Sequence, residues 1–154
     1  MRILKYLCKD CIETDLKADS KDEVLRLLAE KSEQVCPGLD GGALLSVLKE
    51  REALGSTGIG GGIAIPHGKI AGLEKLSLLL FRSLQGVPFN ALDGKPVRII
   101  VLLVAPEDAP ALYLRVLARI SKLLKETNVI EALLSAEDRE AMRDILAKAD
   151  SGTI

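Results

Sequence analysis

Between Val97 and Ala105 the chain reads Val-Arg-Ile-Ile-Val-Leu-Leu-Val-Ala, apolar at every position but one. A short, β-branched run of this kind fits a central strand covered on both faces, because a half-solvated strand would alternate polar and apolar residues. The stretch Leu78-Leu79-Leu80-Phe81, within Lys75 to Ser83, has the same character. Two such strands demand helices on either side of them, and the rest of the sequence supplies helical patterns.

Strand signals lie within Ile3 to Leu16. Ser20-Lys-Asp-Glu23 then has the spacing of a capping box and predicts a helix from Lys21 to about Val35, with Val24, Leu27, Leu28 and Ala29 inward. Pro37-Gly38 ends it, and Asp40 caps a second helix that turns Leu44, Val47 and Leu48 toward the core and carries Arg51 near its end. Asp93-Gly94 marks a tight turn, with a hairpin expected from Val87 to Asn90. Beyond Pro106 and Pro110, a helix from about Ala111 to Lys125 places Tyr113, Leu117, Ile120 and Leu124 on one face. A short helix over Val129 to Leu134 follows. A last one starts at Ser135, with Ala141, Ile145 and Leu146 inward and Lys148 near its end. This alternation implies an α/β fold with one mixed, mostly parallel sheet flanked by helices on both faces. A single domain over residues 1–150 accounts for the chain, with a frayed tail from Asp150 to Ile154.

Composition removes several classes of function. Lys and Arg number 21 against 22 Asp and Glu, and aromatic residues make up 3% with no tryptophan, so neither a basic surface nor stacking platforms point to nucleic acid. The longest apolar run, Ile99 to Ala105, is too short to span a bilayer. The N-terminus lacks the sustained hydrophobic stretch of a secretory signal, so a cytoplasmic location without direct membrane insertion is expected. Three cysteines, an odd number, do not make a disulfide framework, and reduced thiols suit that compartment.

Chemistry concentrates around Gly55-Ser-Thr-Gly-Ile-Gly-Gly-Gly-Ile-Ala-Ile-Pro-His67-Gly-Lys69, which contains the sole histidine. Nucleotide-binding patterns do not fit this segment. From Gly62, five residues rather than four precede Gly68-Lys69, Ile70 stands where a phosphate loop needs a hydroxyl, and Ile63 stands where a dinucleotide fingerprint needs glycine or alanine. Cys8-Lys-Asp-Cys11 has ligand-like spacing that Cys36 and His67 would have to complete, but no second close ligand pair exists. Unligated thiols are the simpler reading, with redox use of Cys8 and Cys11 as an alternative. Neither a metal nor another cofactor is expected. No serine or cysteine lies in a recognisable nucleophile elbow. A histidine can also be purely structural, yet the permissive loop, Arg51 and Lys69 together favour His67 as a phosphoryl acceptor. With an ordinary pKa of about 6.5, roughly three quarters of such imidazoles are neutral at pH 7 and have a nitrogen lone pair free.

The stretch from Arg51 to Lys69 closely resembles the active-site signature of the fructose/mannitol-type enzyme IIA domains of the bacterial phosphotransferase system, and most nearly the stand-alone nitrogen-regulatory enzyme IIA proteins. The resemblance extends through residues 15–23, Val-Ala-Pro-Glu at 104–107 and Leu-Ala-Arg-Ile-Ser-Lys-Leu-Leu at 117–124. It implies a five-stranded mixed sheet and a phosphohistidine carrier charged by a histidine-containing phosphocarrier protein, with His67 at the phosphorylated position, Arg51 beside it and Nε2 as the modified nitrogen. The partners so implied are that phosphocarrier and either regulatory target proteins or an enzyme IIB whose cysteine receives the phosphoryl group. A module that binds proteins without being phosphorylated is the third reading. Family members commonly carry a second histidine where this chain has Tyr113, which is therefore either a second-site residue or a core aromatic. Around the phosphoryl group, the N–H groups of Gly60, Gly61, Gly62 and Gly68 are expected to form an anion nest, Thr57 or Ser56 to donate a hydroxyl, and Arg51 to offer its planar donor fork. Lys69 reads as a solvated side chain.

Overall fold

A computed structural model of the protein describes residues 1–152. The chain runs through β1 (Leu7–Glu13), α1 (Lys21–Val35), α2 (Gly41–Ala53), β2 (Gly58–Gly60), β3 (Ile63–Ala64), β4 (His67–Ile70), β5 (Ser77–Val87), β6 (Val97–Pro106), α3 (Pro110–Leu124), α4 (Thr127–Ser135) and α5 (Arg139–Ser151). The strands form one mixed α/β sheet in the order β1-β5-β6-β3-β2, with β4 also on β6. Six strands are present rather than the expected five, a minor difference that comes from splitting at Pro66. β6 pairs in parallel with β3 and β4 and antiparallel with β5. From Ile99 to Ala105 it is buried at every residue, the outcome its sequence demanded. Helices α1 and α2 pack together over β1, β5 and β4, while α3, α4 and α5 form a second group against β6, β5 and β1.

Helix starts follow the caps. The Ser20 side chain accepts from the Glu23 N–H and the Asp40 side chain from Gly42 and Ala43. For α5 the cap is Asp138, which accepts from Ala141, and not Ser135, which still belongs to α4. The hairpin expected within 87–90 is instead the long β5–β6 pair, since Val87 is still paired with Val97 and residues 88–96 form the connection. Gly94 does lie in a turn, at φ 72° with its N–H on the Ala91 carbonyl.

Two expectations need correction. Asp150 is not frayed: its buried carboxylate accepts from the Ile3 and Leu4 N–H groups at 2.8 and 3.0 Å and pairs with Arg119 at 3.3 Å, tying the last turn of α5 to the start of the chain. Of the rest of that tail, Ser151 closes α5, Gly152 caps it in the left-handed region, and residues 153–154 lie outside the described part. Cys8 and Cys11 are not free thiols but a disulfide with Cα atoms 5.1 Å apart. Three residues of regular strand would span about 10 Å, so the chain folds back here, and the register of β1 on β5 shifts between Leu7 and Ile12; an odd cysteine count argues against a framework of disulfides but not against one local pair. No helix among the described residues is long and apolar enough to cross a membrane.

Candidate functional site

His67 owes its position to the proline before it. Pro66 has no N–H for the ladder, so the strand that began at Ile63 is interrupted and restarts at His67, both pieces following β6 in parallel. The Pro66 carbonyl still accepts from the Leu103 N–H at 3.0 Å, which fixes the break against the sheet. His67 is thus the first residue of β4, and its side chain is half-buried.

The ring is oriented by its own backbone. Its Nδ1 lies 2.7 Å from the Ile65 carbonyl. A carbonyl can only accept, so Nδ1 carries the proton and Nε2 keeps its lone pair. The second ring contact agrees: the Arg51 Nε–H points at Nε2 from 3.4 Å, a long and weak bond that can be released, while Nη1 holds the Gly55 carbonyl at 3.0 Å. Burial pushes the His67 pKa below its ordinary value; the Ile65 carbonyl opposes that shift, Arg51 adds to it and Glu52 opposes it. The neutral, nucleophilic form therefore persists to lower pH than in a free imidazole. An NMR titration of this sole imidazole is expected to give a midpoint below about 6.5, and a midpoint at or above that value would contradict the arrangement. In an unfolded chain the same group binds its proton more readily. Folding stability should therefore fall as the pH drops below about 6.5, with this contribution fully lost below the folded-state pKa.

Arg51 reaches the ring because α2 lies close to β4. A Cβ built on the buried Gly68 would sit 2.5 Å from Val47 Cγ1 and 3.9 Å from Leu48 Cδ2. Arg51 follows Val47 by one helical turn, on the same face of α2. Gly68 is therefore a packing glycine that lets the helix carrying the guanidinium approach the strand carrying the imidazole.

The next residue on α2, Glu52, is 9% exposed and holds the loop between the helix and β2. It accepts from the Thr57 N–H at 3.0 Å and from the Thr57 hydroxyl, and Lys21 Nζ lies 2.9 Å from its Oε1. The buried carboxylate is thus fully partnered. Thr57 cannot serve as the expected phosphate donor while both its donors are committed here. Ser56 is committed too, donating to the Phe89 carbonyl at 2.9 Å.

The three glycines also lie elsewhere. Gly60, Gly61 and Gly62 have φ of 97°, 67° and 80° and form the tip of the β2–β3 hairpin, a conformation open to glycine at little cost. The Gly61 N–H donates to Asp93 Oδ2 at 3.0 Å, and the Gly62 carbonyl accepts from Arg98 and Ile99. Backbone N–H bonds from Lys95 and Gly61 hold the Asp93 carboxyl below its ordinary pKa. Ile63 pairs with Ile99 and His67 with Leu103. Four strand residues separate those rungs, about 13 Å, so the hairpin tip is not a nest around the His67 ring.

Tyr113 does meet the histidine. Its ring centroid lies 5.9 Å from that of His67 at a tilt of 55°, and Lys69 Nζ lies 5.1 Å from the tyrosine ring centroid. At 7% exposure it belongs to the core as well, so the two readings of Tyr113 describe one position, and burial pushes its hydroxyl above the ordinary phenol pKa while Arg51 opposes the shift. The site is thus a half-buried neutral imidazole with a guanidinium at its open nitrogen and a neutral phenol ring along its side. Sequence reasoning missed Glu52 and the Ile65 carbonyl. A glutamate beside Arg51 on an amphipathic helix looks solvated, and a backbone acceptor leaves no mark on residue identity. Among the described residues, no three His, Cys, Asp or Glu side chains gather to hold a metal.

The family model described as phosphoenolpyruvate-dependent sugar phosphotransferase system, EIIA 2, matches residues 5–149. A nitrogen regulatory protein of Bradyrhizobium diazoefficiens is 39% identical over 147 residues, covering 96% of this chain and 95% of that protein. The PTS system fructose-specific EIIABC component of Bacillus subtilis is 33% identical over 150 residues, which are 97% of this chain but 24% of that larger protein. Among solved structures, nitrogen regulatory protein IIA-Ntr from Neisseria meningitidis superposes with a TM-score of 0.86 at 33% identity, covering 93% of this chain and 97% of that one.

Proposed function

The chain belongs to the phosphoenolpyruvate-dependent sugar phosphotransferase system EIIA 2 family, and from that premise we propose that it carries a phosphoryl group on Nε2 of His67, received from the phosphohistidine of a histidine-containing phosphocarrier protein. The observation that carries this reading is the bond from Nδ1 to the Ile65 carbonyl, which leaves the Nε2 lone pair facing Arg51. That lone pair attacks the donor's phosphorus, the donor's N–P bond breaks, and its electron pair stays on the departing imidazole. The His67 ring then carries positive charge that the Ile65 carbonyl disperses through Nδ1–H. Arg51 exchanges its weak contact with Nε2 for the phosphoryl oxygens, where a planar fork matches two acceptors. Phosphoryl transfer asks chiefly for such alignment and charge compensation, and no metal or nucleotide enters the step.

The role is that of a switch. Leu54, 86% exposed just past the helix that bears Arg51, and Leu114, 63% exposed beside Tyr113, put apolar surface on the elements that carry the site. A dianion added there changes which proteins bind through repulsion and desolvation. Similarity over nearly the full length of a nitrogen regulatory protein supports this role, acting on regulatory target proteins. The fructose-specific relative favours a second reading, in which the phosphoryl group passes on to a cysteine of an enzyme IIB.

Incubation with enzyme I, the phosphocarrier and phosphoenolpyruvate tests the proposal. A single acid-labile phosphoryl group per chain is expected, dependent on the phosphocarrier. Folded protein that takes up none would refute carriage and leave a protein-binding module. Onward transfer to a fructose-type enzyme IIB cysteine would select the transport reading over the regulatory one.

A further inference from the structure

The Cys8–Cys11 pair lies outside the phosphoryl site, and the following assignment does not depend on the function of His67. Leu7 pairs with Leu78 and Ile12 with Leu80, so five steps along β1 face only two along β5. Three residues are therefore in excess, and the disulfide closes the fold that contains them. β1 is also an edge strand of the sheet. The two sulfurs differ in access: Cys8 is exposed, whereas Cys11 is 2% exposed. Cys8 opens onto a cleft of about 620 Å³ whose lining includes Lys5, Tyr6, Lys75, Leu76 and Leu112. Lys5 and Lys75 are balanced by Glu74 and Asp108 in the same lining, so the cleft offers an incoming dithiol an apolar seat without net charge. The third cysteine is not involved, since Cys36 is buried and burial pushes its thiol pKa up, with a Ser77 bond opposing.

We infer that Cys8–Cys11 is a thiol–disulfide exchange site, with Cys8 as the sulfur attacked and a dithiol as the co-reactant. A thiolate of the dithiol forms a bond to Cys8 Sγ, the Cys8–Cys11 bond breaks, and Cys11 leaves with the electron pair and takes up a proton. The second thiol of the co-reactant then attacks its own sulfur in the mixed disulfide. Cys8 is released as a thiol, and the co-reactant leaves as a disulfide. Two electrons and two protons have moved from the dithiol to the protein. Reduction frees the surplus residues of β1 and loosens its edge pairing, while re-oxidation by a disulfide runs the same steps backwards.

The test uses the full chain and dithiothreitol. Treatment under native conditions, followed by N-ethylmaleimide and mass analysis, is expected to label Cys8 and Cys11 and spare Cys36, with helical and strand content retained. Hydrogen exchange should accelerate in residues 7–13 and not in β6. In the Cys11→Ser variant, Cys8 should react with 5,5′-dithiobis(2-nitrobenzoic acid) about tenfold or more faster than Cys11 does in Cys8→Ser, because access governs the rate. Reduction only after unfolding, equal reactivity of the two variants, unchanged exchange in residues 7–13, or three free thiols that diamide fails to oxidise would each overturn the assignment.

Discussion

Replacing His67 with alanine is expected to abolish donor-dependent phosphoryl uptake, and replacing Arg51 with alanine to slow it by about 10²- to 10³-fold, the usual effect of removing one preorganised donor from developing charge. The two losses differ in kind. Without the imidazole there is no acceptor, since the chain has a single histidine. Without the guanidinium the Nε2 lone pair is still present, because the Ile65 carbonyl 2.7 Å from Nδ1 sets the tautomer independently of Arg51. Arg51→Lys should recover only part of the rate, since an ammonium is a point charge and cannot present two parallel N–H groups. Initial rates of labelling from a phosphorylated carrier measure all three variants. Uptake by His67→Ala equal to that of the parent would mean that another group is the acceptor, and an Arg51→Ala rate equal to the parent would mean that the guanidinium serves only the Gly55 carbonyl, which it already holds at 3.0 Å.

Gly68→Ala should destabilise the protein by about 1–3 kcal/mol and slow phosphoryl uptake together, because the new methyl would lie 2.5 Å from Val47 Cγ1. Either Val47 rotates into less space or α2 moves off β4 and takes Arg51 with it. Adding Val47→Ala removes the colliding methyl. The double variant should then be less destabilised than the sum of the two single ones and should regain labelling rate. Denaturant unfolding of the four proteins gives that coupling directly. Additive losses would show that close approach of helix and strand is not what the glycine provides.

Legibility in the sequence followed how far a residue's identity reports its surroundings. The run from Val97 was readable because a strand buried on both faces leaves no polar alternation, and α1 and α2 because Ser20 and Asp40 cap them through their own side chains. The resemblance over residues 51–69 carried the family, whereas the mixed α/β sheet followed from the alternation of strands and helices. What stayed hidden depends on how partners meet in space. Glycines 60–62 looked like a phosphate nest because a hairpin tip needs the same positive φ, and only the register of β3 and β4 on β6 separates the two uses. Thr57 looked free because its partner, Glu52, reads as a solvated glutamate, whereas it is buried and paired with Lys21 from another helix. Gly68 gave no sign that its missing side chain is a space for Val47. The Cys8–Cys11 disulfide was hidden because an odd cysteine count in a chain without a secretory signal points to free thiols.

The measurement that bears most directly on the central claim is the nitrogen chemical shifts of His67 in protein labelled with 15N-histidine, before and after phosphorylation. The lone histidine makes the spectrum unambiguous. The geometry requires the unphosphorylated ring to be the Nδ1–H tautomer and the phosphoryl group to appear on Nε2, with Nδ1 still hydrogen-bonded. An Nε2–H tautomer, a phosphoryl group on Nδ1, or a spectrum unchanged when the protein is fully phosphorylated would contradict it.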